Sequence, residues 1–160
     1  MKEYYGLTNP QNLILFTEQY YNSNINNIVG IIDFLEEIDI RHLKKAINIL
    51  IKENAVMRTK IFLEGTKLVQ SITEFKEYKI DIIKAESEEE YIKSLIDKPF
   101  NILENDLYEF KLIKHNKKVK LIGKFHHIIS DAWSVSLIIS EIVDIYSKLI
   151  KKVDIKDMQY

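Results

Sequence analysis

The sequence predicts an α/β fold of the α+β kind: a two-layer sandwich with helices laid on a mixed, largely antiparallel sheet. Three observations lead there. Segments of helical and strand-like periodicity follow in the order helix, strand, helix, strands, helix, strand pair, helix, an order that packs as layers. Two strand pairs are joined by short turns, at Glu64-Gly65 and at His115-Asn116, which makes them antiparallel neighbours. The chain has 160 residues, the length of one domain with a real core, and only four glycines and two prolines interrupt regular structure.

Each element has its own signal. Asn9-Pro10 supplies a cap and a first-turn proline, after which Leu13, Ile14, Thr17, Tyr20 and Tyr21 keep helical spacing until Asn22-Ser23-Asn24 breaks it. The β-branched run from Ile28 to Leu35 predicts a strand buried on both faces, with Gly30 allowing close backbone approach. Asp39 caps a second helix whose stripe is Leu43, Ala46, Ile47, Leu50 and Ile51. Arg58 to Leu63 and Lys67 to Ile72 form a hairpin, and Tyr78 to Lys84 a further strand. Ser87 and Glu90, at capping-box spacing, open a helix that turns Tyr91, Ile92, Leu95 and Ile96 inward and stops before Pro99. Leu107 to Lys114 and Lys117 to Phe125 make the last strand pair. The final helix runs from about Trp133 to Lys151 or Lys152, with Trp133, Leu137, Ile138, Ile142, Ile145, Tyr146 and Leu149 as its apolar stripe.

Composition excludes several classes. Twenty-three Lys and Arg against 24 Asp and Glu leave a formal charge of -1, so no global field recruits nucleic acid or anionic lipid. No cysteine is present, which removes disulfides, thiol nucleophiles and thiolate metal sites. The apolar runs fall short of the roughly 20 residues of a membrane span, and the first residues lack a signal-peptide core. These features predict a cytoplasmic protein with no membrane and no nucleic-acid partner.

The chemistry concentrates in Lys124-Phe125-His126-His127-Ile128-Ile129-Ser130-Asp131-Ala132-Trp133-Ser134. Val119, Leu121, Gly123 and Phe125 share one parity of the preceding strand, so a continued pleat sends His127 to the apolar side and His126 to the mixed side. On that reading His127 is a buried or cleft-facing base, or else a core histidine bonded to a carbonyl. Asp131 stands where it can cap the last helix. Adjacent histidines on a strand face opposite ways, so the cluster does not predict a metal site. Trp133 reads as a core anchor of the last helix or as the wall of a cleft.

The pattern His-His-x-x-x-Asp resembles the active-site motif of the condensation domains of nonribosomal peptide synthetases, members of the chloramphenicol-acetyltransferase-like acyltransferases. Three further stretches fall in that family's order. Leu7 to Tyr21 resembles the opening helix motif, Lys52-Glu53-Asn54-Ala55-Val56-Met57-Arg58-Thr59-Lys60-Ile61-Phe62 the second motif, and Lys98-Pro99-Phe100-Asn101-Ile102 the Pro-Phe-Asp/Asn-Leu connection. The resemblance implies that residues 1–160 are one domain, the amino-terminal lobe of a two-lobed unit whose active-site tunnel lies between lobes, with the carboxy-terminal lobe absent. It implies amide-bond formation between a thioester donor and an aminoacyl acceptor, both carried on the phosphopantetheine of peptidyl or acyl carrier proteins. No directly bound cofactor is implied. By the same resemblance His127 is catalytic, His126 supports it, and Asp131 orders the motif through an ion pair, with Arg58 as its partner. Ala132, Trp133 and Ser134 would border the tunnel. Alanine stands at 132 where the family usually has glycine, so either positive φ there or a narrowed tunnel is at issue. Two alternatives are a non-catalytic module that docks carrier proteins and an O-acyltransferase using coenzyme A thioesters.

Overall fold

The computed structural model describes residues 3–21, 24–115 and 118–153. Among them the chain forms β1 (Tyr5–Gly6), α1 (Asn9–Tyr20), β2 (Asn27–Phe34), α2 (Ile40–Glu53), β3 (Thr59–Glu64), β4 (Lys67–Ile72), β5 (Asp81–Ile83), α3 (Glu88–Asp97), β6 (Tyr108–His115), β7 (Lys118–His126) and α4 (Ala132–Lys151). A 3-10 turn at Ala55–Arg58 leads into β3. The strands form two sheets, β2-β7-β6-β5 and β1-β4-β3. The larger is mixed, since β5 runs parallel to β6 while β2, β7 and β6 are antiparallel.

The α+β expectation therefore holds, with the strands divided between two sheets. Helices α2 and α4 cover one face of the larger sheet, where Leu43, Ile47, Leu50, Ile138 and Ile142 pack on Phe110, Leu112, Leu121 and Phe125. Each such side chain contributes about 1.5–3 kcal/mol relative to an exposed position. On the other face Leu95 of α3 meets Ile113 and Ile122. A smaller cluster of Leu15, Ile61, Leu107 and Ile128 ties α1 and the three-stranded sheet to the segment after β7. Helix α4 lies close over β2 at Gly30, where a Cβ would stand 2.2 Å from Ile139 Cδ1 and 3.0 Å from Val135 Cγ1. Close approach is what that glycine permits.

Several elements differ in detail from the sequence expectation. The cap of α1 is Thr8, which makes a capping box with Gln11, rather than Asn9. Strand β2 is an edge strand and only partly buried; the strand covered on both faces is β7. The strand expected from Tyr78 shortens to Asp81–Ile83, because the Tyr78 N–H is taken by Asn48 Oδ1 at 2.7 Å. The buried stripe of α4 is Val135, Ile138, Ile142 and Ile145, leaving Trp133 73% and Leu137 53% exposed. Trp133 is therefore no core anchor. The expected break at Asn22-Ser23, Asn116 of the expected His115-Asn116 turn and the tail beyond Val153 lie outside the described residues, while His115 is the last residue of β6. Among the described residues no helix is long and apolar enough to cross a membrane.

Candidate functional site

Strand β7 ends at His126, and the chain then turns away from the sheet. The His126 N–H donates to Leu107 O at 2.8 Å, the His127 N–H to Asn26 O at 2.8 Å and the Ile129 N–H to His126 O at 3.1 Å. The Ser130 hydroxyl also donates to His126 O, at 3.3 Å. This turn ends the pleat one residue before the parity argument needs it. The outcome reverses the expected burial: His126 is completely buried, whereas His127 is exposed.

The His126 ring is fixed on every side. Its Nδ1 accepts the Ile128 N–H at 3.0 Å, so Nδ1 carries no proton, and Nε2 donates to Glu18 Oε1 at 2.7 Å. The Phe100 ring meets it edge-on at 5.7 Å. Next to it Lys124, 1% exposed, donates to Lys98 O at 2.5 Å and lies 4.4 Å from the Phe100 ring centre. Burial pushes the Lys124 ammonium below the ordinary lysine value. By contrast the His127 imidazole projects from a turn whose backbone is pinned on both sides.

Asp131 caps α4, its Oδ1 accepting the Ser134 N–H at 2.7 Å. The Ser134 hydroxyl and backbone N–H hold the Asp131 carboxyl below the usual carboxylate range. Ala132 is the first residue of α4 and lacks positive φ, so alanine is unstrained there. His127, Asp131, Ala132 and Trp133 are all exposed around the start of α4. They form an open surface of the chain.

Arg58 does not join that surface. Its Nη1 donates to Thr73 O at 2.9 Å, its buried Nε has no hydrogen-bond partner among the described residues, and it forms no ion pair with Asp131. It borders an open groove of about 930 Å³ beside the three-stranded sheet, lined also by Ile51, Met57, Phe62, Tyr78 and Tyr108; His126, His127 and Asp131 do not line it. Among the described residues no group of His, Asp and Glu is arranged to hold a metal ion.

Sequence reasoning missed Glu18 and Gln11. Both lie on α1 and both reach the turn after β7: Glu18 through His126, and Gln11 through Nε2 donation to Ile128 O at 3.3 Å. The available signal was that Glu18 is the only acidic residue of α1.

The Condensation domain family profile matches residues 1–160. A plipastatin synthase of Bacillus subtilis (strain 168) is 32% identical over 162 residues, covering 96% of this chain and 6% of that protein. Surfactin synthase subunit 1 of the same organism is 30% identical over 145 residues, covering 89% of this chain and 4% of that protein. The chain thus spans a small part of these relatives. Among solved structures, the starter condensation domain of rhizomide synthetase RzmA superposes with a TM-score of 0.84 at 19% identity, over 94% of this chain and 39% of that chain. At that identity the likeness shows a shared fold.

Proposed function

Because this chain belongs to the condensation-domain family, we propose that it is the amino-terminal lobe of a unit that joins a carrier-held thioester donor to a carrier-held aminoacyl acceptor. The observation that carries the proposal is His127, an exposed imidazole on a turn pinned by Asn26 and His126, beside the start of α4. A neutral imidazole so placed can accept a proton from an attacking amine. The amine nitrogen bonds to the thioester carbonyl carbon, the C–S bond breaks, and the departing thiolate takes the proton held by His127.

His126 supports this arrangement from below, and Asp131 supports it by fixing the start of α4. Arg58 supports the lobe by holding the Thr73 carbonyl. Ala132, Trp133 and Ser134 become tunnel wall once a carboxy-terminal lobe covers their face. That lobe and peptidyl or acyl carrier proteins are the partners, in the cytoplasm, with the substrates on phosphopantetheine arms and no cofactor held by this lobe itself.

The test offers the same acyl donor in two forms, on a carrier protein or as a free coenzyme A thioester, to the chain supplemented with a carboxy-terminal lobe. Amide product from the carrier-held donor supports the proposal. Ester formed from the coenzyme A donor and an alcohol would assign it to O-acyl transfer, and carrier binding without product would leave a docking module.

A further inference from the structure

Glu18 occupies a costly position. Its side chain is 13% exposed, and it lies towards the carboxy-terminal end of α1, where the helix dipole disfavours a carboxylate. The contact that offsets this cost is the 2.7 Å hydrogen bond with His126 Nε2.

That bond has a consequence beyond α1. Imidazole in its neutral form carries one ring proton, and the nitrogen that carries it decides which nitrogen can accept. With the proton on Nε2 and directed at Glu18, Nδ1 is free to accept the Ile128 N–H at 3.0 Å. A proton on Nδ1 would face the Ile128 N–H donor to donor, and the bond would be lost. The Ile128 N–H bond closes the turn from which His127 projects. The same turn is held from α1 a second time, by Gln11 on Ile128 O.

Resting on the reading of His127 given above, we infer that Glu18 is a positioning residue: it fixes His126 as the Nε2-protonated tautomer, and thereby closes the turn that presents His127. Glu18 touches no substrate in this scheme. It acts through His126 on the backbone that carries the reacting imidazole.

The test is made on the 160-residue chain, isotopically labelled, by two readouts that need no turnover. Long-range proton–nitrogen correlation identifies the His126 tautomer, and hydrogen exchange reports the Ile128 amide. In the wild type near neutral pH, His126 carries its proton on Nε2 and the Ile128 amide is protected. Glu18→Gln, which keeps an acceptor oxygen, retains both. Glu18→Leu gives mixed tautomers and an Ile128 amide exchanging about tenfold faster, while the Leu121 and Ile122 amides of β7 keep their protection. An unchanged tautomer and an unchanged Ile128 amide in Glu18→Leu would overturn the inference. So would a wild-type His126 protonated on Nδ1, a result that decides the matter even if the Leu variant does not fold. An inactive enzyme with these signatures intact would count against the proposed reaction alone.

Discussion

His126 Nε2 lies 2.7 Å from Glu18 Oε1. The neighbouring imidazole, His127, stands exposed at the surface of the lobe. The two histidines of the motif thus divide into one that is buried and hydrogen-bonded at both ring nitrogens and one that is exposed.

Their replacement should separate in stability. His126→Ala leaves the Glu18 carboxylate without its donor and the Ile128 N–H without its acceptor, and should cost about 3 kcal/mol. His127→Ala removes an exposed ring and should stay within about 0.5 kcal/mol of wild type. Urea unfolding of the two variants checks this, and equal costs would refute the division.

Gly123 sits beneath two rings. A Cβ there would stand 2.9 Å from Phe125 Cε2 and 3.1 Å from Phe110 Cε1, and both phenylalanines are fully buried. Gly123→Ala should destabilise the lobe by about 2 kcal/mol through overpacking. Thermal unfolding would show the loss.

Lys124 gives a pH signature. Its folded pKa is lowered by burial, so the unfolded chain holds that proton more tightly. Stability gained from this group therefore rises as pH climbs from the folded value towards the ordinary lysine value of about 10.4. Lys124→Met should remove that rise, while Lys98 O keeps its 3.0 Å hydrogen bond from Asn27 Nδ2. Comparing the two chains by chemical unfolding at about pH 7 and about pH 9.5 isolates the effect.

The cap of α2 should respond in the opposite range. The Arg41 side chain, and then His42, hold the Asp39 carboxyl well below the usual carboxylate range. The stability it contributes is present above the unfolded carboxylate value of about 4 and is lost as pH falls below it towards the folded value. Asp39→Asn should flatten the acid limb of an unfolding profile, and a limb of unchanged steepness would contradict this.

What was legible in the sequence follows from locality. The α2 stripe and the Asp39 cap depend on residues within a few positions of one another, and both stand where the pattern puts them. The β3–β4 hairpin forms as well, although its turn is Gly65-Thr66 rather than Glu64-Gly65, because Glu64 still pairs with Lys67. The motif His126, His127 and Asp131 was legible as a cluster, and the cap formed by Asp131 was read directly. Its orientation was not. Parity carries a side-chain direction only while the strand lasts, and β7 ends at His126 because the Ile128 and Ile129 N–H groups fold back onto His126, to its Nδ1 and its carbonyl oxygen. Trp133 misled for a related reason: α4 turns Val135 and Ile139 onto β2 at Gly30 and buries Val135, Ile138, Ile142 and Ile145, and Trp133, two residues before Val135, falls on the opposite, exposed side of the helix. The Glu18–His126 contact joins residues 108 positions apart, and no local spacing announces it.

The most direct test of the proposed chemistry is intact-mass detection of amide product from a donor-loaded carrier protein and an amine acceptor, with this chain paired to a carboxy-terminal lobe. Wild type should form product, and His127→Ala, folded to the same stability, should form it at least about 100-fold more slowly. Product formed by His127→Ala at the wild-type rate would contradict a role for His127 in the reaction.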